Sequence, residues 1–156
     1  MAWNGRQGRA VATVPIAEEL LTWPDGEPAL LGGRCPSCTA VTFPLRSGCP
    51  RCGATGLERY PLSRAGALWT WTSQGFLPKA PFTGQFVSED AFEPWFVGVI
   101  ELPGELRVES ILTGCTQDTL RIGMPMQLVT MPFRTDDSGN EVVTFAFAPD
   151  SAPTRR

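Results

Sequence analysis

Five segments of the C-terminal part of the chain carry strand signals, and in the first of them hydrophobic and polar residues alternate as in a half-buried β-strand. The clearest segment covers residues 67–76, where Trp69 and Trp71 are predicted to share one face of a strand while Thr70 and Thr72 occupy the other. The remaining four segments are 95–102, 105–112, 124–131 and 141–148. The pattern therefore predicts a mainly β fold.

Short turn sequences join two pairs of these segments. Leu-Pro-Gly-Glu at 102–105 connects the second and third, and Asp-Asp-Ser-Gly-Asn at 136–140 connects the fourth and fifth, so two hairpins are predicted. Five strands of this kind suit a closed OB-fold barrel, with an open five-stranded sandwich as the alternative. The insert at 76–95 is long, aromatic and proline-rich, and such loops are typically functional or mobile.

One short helix is predicted near the N-terminus. Ile16, Leu20 and Trp23 repeat at helical spacing after Pro15, and Pro-Asp-Gly at 24–26 ends the pattern. A helix this short is stable only if its apolar side packs on the rest of the protein or on a partner.

Composition and charge narrow the classes of function. The chain of 156 residues has a formal net charge of −3 and no histidine. The charge disfavours general nucleic-acid binding, which needs a basic surface. The missing histidine removes the commonest general base. Residues 1–14 hold no apolar run like that of a signal peptide, and no segment is apolar over the ~20 residues that span a membrane, so we expect a cytoplasmic protein.

Four cysteines form two Cys-x-x-Cys pairs, with Cys35 and Cys38 in the first and Cys49 and Cys52 in the second. This spacing is typical of a zinc ribbon or rubredoxin-like knuckle with four thiolate ligands. Gly48 and Gly53 offer permissive backbone conformations beside the second pair. A closed shell of four thiolates has no position for substrate, so the metal is predicted to be structural zinc, with iron as the alternative.

The fifth cysteine, Cys115, is isolated and is interpreted as a buried structural thiol. These features predict four regions: an N-terminal arm and helix at 1–28, the zinc ribbon at 29–60, the OB-fold at 61–149 and a C-terminal tail at 150–156. The ribbon is too small to bury a core of its own, so its folding should depend on metal binding.

Three segments carry a resemblance to a known family. They are Phe-Pro-Leu-Arg at 43–46, the stretch 61–72 that ends Trp-Thr-Trp-Thr, and Arg-Ile-Gly-Met-Pro-Met at 121–126. In this order after the cysteine pairs, they resemble the zinc-ribbon and OB-fold proteins of domain-of-unknown-function family 35, over about residues 15–149. Leu45 departs from the Phe-Pro-Pro-Arg version of the first motif.

The resemblance implies a non-catalytic accessory subunit that binds CoA or acyl-CoA and works with a thiolase-type enzyme in a hetero-oligomer. A small partner of an acyl-CoA hydratase is an alternative within the same family. The segment 132–147 is similar to the small subunits of benzoylsuccinyl-CoA thiolases, which act in anaerobic toluene degradation. The acyl pocket and the catalytic residues would then belong to the partner.

A CoA-binding role asks for cations that can hold phosphate groups, preferably arginines. Arg46 lies on the loop between the cysteine pairs and is the first candidate, together with Arg34, Arg51 and, in the long insert, Lys79. Solvated surface charge is the competing interpretation of these residues.

The insert is also the predicted contact with the partner, together with the N-terminal helix. It contains more large apolar groups than a small barrel is expected to bury, and an exposed surplus marks an interface. The candidate interface residues are aromatic: Phe76, Phe82, Phe86, Phe92 and Trp95.

Two other classes of function fit parts of the pattern. Ribbons and OB-folds both occur in single-stranded nucleic-acid binders, but the predicted barrel strands carry more acidic than basic residues. A rubredoxin-like electron carrier would use the same four cysteines to hold iron.

Overall fold

A computed structural model describes residues 11–24, 26–84 and 92–150. Within these ranges the chain forms β-strands and turns and no helix. Consequently, no helix of the described residues is long and apolar enough to cross a membrane. The strands are β1 (Thr13–Pro15), β2 (Leu31–Arg34), β3 (Val41–Thr42), β4 (Glu58–Pro61), β5 (Ala65–Gln74), β6 (Trp95–Glu101), β7 (Arg107–Leu112), β8 (Pro125–Thr135) and β9 (Glu141–Pro149).

The last five strands close into a barrel. β5, β6 and β7 are antiparallel neighbours, β5 also pairs with β8, and β9 pairs with both β8 and β7. The two predicted hairpins are confirmed, because β6 runs antiparallel to β7 and β8 antiparallel to β9 across the expected turns. The closed five-stranded OB-fold is therefore confirmed, and the open sandwich is not the architecture.

A β-bulge in β5 changes which residues share a face. Leu68 pairs with Ile100 and Thr70 with Val99, so Trp69 is an extra residue in the strand. Leu68 is fully buried, Trp69 is 47% exposed, and Trp71 packs against the core. The prediction that Trp69 and Trp71 share one face is wrong, because a bulge reverses the alternation beyond it.

The prediction of an N-terminal helix is also wrong, because this segment contains a strand and turns instead. Residues Thr13–Pro15 form β1, which runs parallel to β9. The backbone N–H of Ile16 donates to the Val143 carbonyl (2.8 Å), and a turn then brings Leu21 into an isolated bridge with Leu30. A helix as short as the predicted one is marginal by itself, so pairing with a distant strand outweighs the weak helical tendency of this segment.

The ribbon is a three-stranded antiparallel sheet in the order β3-β2-β4. The end of the ribbon opposite the cysteine turns, which we call its base, shares one apolar core with the barrel. Leu21, Leu30 and Leu62 belong to the same buried cluster as Leu68 and Phe147 of the barrel. Ribbon and barrel are therefore packed on each other at the ribbon's base, while the cysteine pairs lie farther along the ribbon.

Candidate metal centre and ligand-binding residues

Each Cys-x-x-Cys pair forms a turn with the same pattern of backbone hydrogen bonds. The N–H of Cys35 donates to the carbonyl five residues later, and the Cys35 carbonyl accepts from the N–H four residues later, both at 2.9 Å. Cys49 makes the equivalent two bonds at 2.8 and 2.9 Å. The two turns are thus structural repeats that present two thiols each.

The fifth residue of each turn adopts a left-handed backbone. Gly53 has φ +76°, and the residue at the equivalent place in the first turn is Thr39, with φ +60°. This region is unfavourable for a β-branched residue and open to glycine. Gly53 therefore plays the predicted permissive role, whereas Gly48 is not among the glycines of positive φ.

The four sulfur atoms converge on one point. Their Sγ atoms all lie within 4.8 Å of one another. Cys35 is 3.6 Å from Cys52, and Cys38 is 3.6 Å from Cys49, in each case across the two turns. A tetrahedron with zinc–sulfur bonds of ~2.3 Å has sulfur–sulfur edges of about 3.8 Å. The separations fit such a shell and are far longer than a disulfide bond.

Backbone N–H groups stabilise the thiolate form of the first cysteine in each turn. The N–H of Cys38 is the main reason that the pKa of Cys35 falls from 9.0 to about 6, and burial opposes this effect. The N–H of Cys52 likewise lowers the pKa of Cys49. Both thiols are therefore prepared to act as anionic ligands.

The same cluster disfavours a further negative charge. The N–H of Ala54 lowers the pKa of Cys52, but the neighbouring thiols of Cys38, Cys35 and Cys49 together with burial outweigh it and raise that pKa to about 12. Four thiolates in this space therefore need a cation among them. A thiophilic divalent ion satisfies this requirement, so the donor set fits structural zinc with all four positions taken by sulfur.

Cys115 lies apart from this centre. It is half-buried against the barrel core, and burial raises the pKa of its thiol. These properties match a structural thiol rather than a nucleophile.

The candidate cations differ in how firmly they are held. The guanidinium of Arg34 lies over the ring of Tyr60, 5.5 Å from its centroid. Arg46 and Arg51 are exposed on the metal end of the ribbon, and no described residue forms an ion pair with either. Lys79 is exposed on the β5–β6 insert of the barrel, so it belongs to a different part of the molecule. Their role in CoA binding stays a prediction.

Charge is distributed unevenly between ribbon and barrel. Residues 29–60 contain four arginines against one glutamate, a side-chain charge of +3, whereas residues 61–149 contain five cations against ten carboxylates, a charge of −5. Four thiolates around one divalent ion would add −2 to the ribbon and leave it at +1. The ribbon remains basic relative to the barrel.

Four aromatic side chains form a cluster beside the insert. The ring of Phe82 stacks on Trp95 with centroids 6.1 Å apart and meets Phe133 edge-on at 5.8 Å, while Phe92 meets Trp95 at 5.9 Å. Phe133, which the sequence pattern did not single out, joins from β8. These rings pack largely on one another, so the surplus of exposed apolar groups is smaller than predicted.

Among the predicted interface residues that the structure describes, Phe76 is the exposed one, at 71%. Phe86 lies outside the described residues. Trp69 and Ile122 are also exposed, and the sequence pattern missed both. Trp69 points outward because of the β-bulge, and Ile122 lies in a turn. Neither the bulge nor the turn has a strong signal in the local sequence.

The outer side of β5, β6 and β7 carries two shallow depressions of about 220 and 240 Å³, which share Val97 and Glu109 as lining residues. None of the described side chains that line them is basic. Single-stranded nucleic-acid sites on OB-folds combine aromatic platforms with a positively charged groove. The linings of both depressions lack the positive charge that such a role requires, and the neighbouring Arg107 on β7 lies over Trp69 and is paired with Glu101 at 2.9 Å.

A closed five-stranded OB barrel preceded by a four-cysteine ribbon defines a class: zinc-ribbon OB-fold proteins with a structural metal centre. Comparison with known families identifies the class more closely. Residues 23–58 match the family described as "ChsH2, rubredoxin-like zinc ribbon domain", and residues 60–131 match "ChsH2, C-terminal OB-fold domain".

Curated relatives extend the match over most of the chain. The benzoylsuccinyl-CoA thiolase subunit BbsA of Thauera aromatica is 30% identical over 121 residues, covering 77% of this chain and 76% of that protein. A DUF35 domain-containing scaffold protein of Methanocaldococcus jannaschii is 29% identical over 119 residues, covering 76% and 78%. The chain belongs to this ChsH2-type, or DUF35, family.

A solved structure shares the fold. The structure described as "Ltp2-ChsH2(DUF35) aldolase" superposes with a TM-score of 0.57 at 24% sequence identity, covering 78% of this chain and 84% of that one. The family models and the curated relatives confirm the predicted resemblance to family 35.

Proposed function

We propose that the protein is a non-catalytic accessory subunit of a thiolase-type acyl-CoA enzyme complex, and that it binds the CoA part of the substrate. The observation that carries this proposal is the similarity over three quarters of the chain to a protein named as a thiolase subunit. Relatives named as scaffold proteins support an accessory role in the same way.

The chain's own chemistry supports placing catalysis on the partner. Thiolase chemistry needs a nucleophilic cysteine and an acid–base group, commonly histidine. The sequence contains no histidine, and four of its five cysteines converge on the metal centre. Burial raises the pKa of the remaining thiol, Cys115, which makes it a poorer nucleophile.

The charge distribution favours the ribbon as the CoA-binding part. CoA carries phosphate groups, and an anion is attracted to the basic ribbon rather than to the acidic barrel. Arg46 and Arg51 are free to form forked hydrogen bonds with phosphate oxygens, whereas Arg34 is partly committed to Tyr60. Lys79 would reach the same ligand only if the ligand extended from the ribbon to the insert.

The insert is proposed to contact the enzyme subunit. Phe76 is the most exposed of its described aromatic residues, and it follows Gln74, which pairs in the sheet with Trp95 of the packed aromatic cluster. A rigid aromatic base with an exposed ring fits the composition of protein interfaces. The specific complex that we propose is a benzoylsuccinyl-CoA thiolase. If the partner is instead a hydratase-type enzyme, the protein is an accessory subunit of an acyl-CoA hydratase.

The partnership is tested by expressing the chain together with its genomic neighbours and purifying it through an affinity tag. We expect a thiolase-type protein to copurify, and CoA-dependent thiolysis to require both components. Copurification of a hydratase-type enzyme, or full thiolysis by the enzyme without this chain, would contradict the proposed function.

The CoA site is tested by calorimetry with CoA and the assembled complex. Arg46→Ala should weaken binding about tenfold, because it removes a charge-assisted contact to phosphate. Arg59→Ala is the matched control, since Arg59 lies on the same ribbon and is already paired with Glu19 at 3.4 Å. Equal affinities in the two variants would show that Arg46 only offsets the charge of the metal centre.

A further inference from the structure

We propose that two charged side chains, Arg64 and Glu105, hold the ribbon in one fixed orientation on the barrel. We call this pair the junction clamp. The proposal concerns the internal geometry of the protein and does not depend on the identity of its partner or ligand.

Glu105 forms hydrogen bonds with β4, the last strand of the ribbon, and with the linker that follows it. It lies in the turn between β6 and β7, and its two carboxylate oxygens have different partners. Oε1 accepts the hydroxyl proton of Tyr60 in β4 (3.2 Å), and Oε2 accepts the backbone N–H of Ser63 (2.9 Å). One barrel side chain thus contacts both the last ribbon strand and the linker that follows it.

Arg64 forms a hydrogen bond with the segment that leads into the ribbon. Its Nη1 donates to the carbonyl of Pro28 (2.8 Å), shortly before β2, and Nη2 donates to the carbonyl of Leu128 in β8 (3.4 Å). The side chain is only 25% exposed, and it also lies 3.6 Å from a carboxylate oxygen of Glu27. The guanidinium therefore bridges the ribbon's entry and a barrel strand.

Apolar packing alone does not explain a fixed orientation. The contact of Leu21, Leu30 and Leu62 with the barrel core is attractive but non-directional. Hydrogen bonds depend on direction as well as distance, and those of the clamp involve charged groups. Because they hold the entry and the exit of the ribbon separately, they oppose its rotation about the short linker between β4 and β5.

The consequence is that the metal end keeps a constant position relative to the barrel. The cysteine turns and the exposed Arg46 and Arg51 are built on a sheet whose two connections are both fixed. Arg64 and Glu105 are accordingly positioning residues: they contact neither the metal ligands nor any group proposed to touch a ligand.

The test compares residual dipolar couplings of backbone amides in the zinc-loaded protein. In the wild type, couplings from residues 31–60, 65–84 and 92–149 should fit a single alignment tensor. In the double variant Arg64→Ala, Glu105→Ala, the ribbon couplings should require a second tensor and fall to about half their magnitude or less, because domain motion averages them. Zinc content should stay at one ion per chain, which shows that the ribbon remains folded.

Glu109→Ala is the matched control, since Glu109 is an exposed carboxylate on neighbouring β7. It should leave the single tensor unchanged. If the double variant does not fold, Glu105→Gln and Arg64→Lys together provide the comparison, because the first removes the charge that strengthens both bonds of Glu105 and the second replaces the fork that reaches two carbonyls by a single nitrogen. A single tensor of unchanged magnitude in the clamp variants, or two tensors in the wild type, would overturn the proposal.

Discussion

The metal end of the ribbon and the barrel are stabilised by different kinds of interaction. Around the two cysteine turns, the buried apolar residues are the ligands Cys35 and Cys49 themselves. The barrel instead encloses a continuous cluster that includes Leu68, Ile100 and Phe147, each with no exposed surface. One region depends on a metal ion and backbone hydrogen bonds, and the other on burial of apolar side chains.

This difference implies that the two regions respond to different perturbations. A segment without an apolar core gains its folding free energy from the metal, so ligand loss should unfold it locally. A closed barrel with a packed core has no such dependence and should respond to cavities instead. The shared base at Leu21 and Leu30 is where the two kinds of stabilisation meet.

The largest expected effect follows from loss of one metal ligand. Cys49→Ser should abolish stoichiometric zinc binding. A structural zinc ion contributes a folding free energy on the order of 10 kcal/mol, and most of it should be lost. Zinc content by elemental analysis measures the result. Cys115→Ser is the control and should retain one zinc ion per chain; full zinc occupancy in Cys49→Ser would refute the four-thiolate centre.

A cavity in the barrel should have a smaller but global effect. Phe147→Ala removes a fully buried ring and should lower the free energy of unfolding by about 3–5 kcal/mol. Phe76→Ala removes an exposed ring of the same size and should change it by less than about 0.5 kcal/mol. Denaturant unfolding followed by tryptophan fluorescence gives both values, and similar losses in the two variants would contradict the assigned core.

The two cysteine turns permit a comparison within the ribbon. Gly53→Ala should weaken metal binding by a free energy of about 1 kcal/mol, because alanine is strained at a positive φ. Thr39→Gly should strengthen it or leave it unchanged, since glycine relieves the strain of threonine in the equivalent position. Competition with a chromophoric chelator measures both affinities. Weakening by Thr39→Gly comparable to that by Gly53→Ala would show that the turns are not equivalent.

Acidification should affect the β8–β9 turn through Asp136. The backbone and side-chain N–H groups of Asn140 lower the pKa of Asp136 from 3.8. Because the folded-state pKa is the lower one, the stabilisation is present above the unfolded value and is lost as pH falls through the folded value. Asp136→Asn should therefore reduce the loss of stability that accompanies a fall in pH through and below 3.8. Identical pH profiles of unfolding for both proteins would contradict this role.

Local sequence signals predicted the barrel strands, both hairpins and the cysteine turns because each depends on residues close together in the chain. The helix prediction for the N-terminal segment was wrong because β1 is stabilised by pairing with β9, a partner that no local pattern reveals. The outward turn of Trp69 depends on a bulge in its pairing with β6. Glu105 and Arg64 look like ordinary surface charges until the fold brings Tyr60, Pro28 and Leu128 to them.

Residue-resolved hydrogen exchange before and after zinc removal tests the difference between the two regions most directly. Chelation should accelerate exchange of the Cys35 and Cys49 amides, which donate to carbonyls within the turns, by at least about 100-fold. The amides of Leu68 and Thr113, which donate within the barrel, should change by less than about threefold. Equal acceleration in both regions, or protection of both without zinc, would contradict a metal-held ribbon on an independently stable barrel.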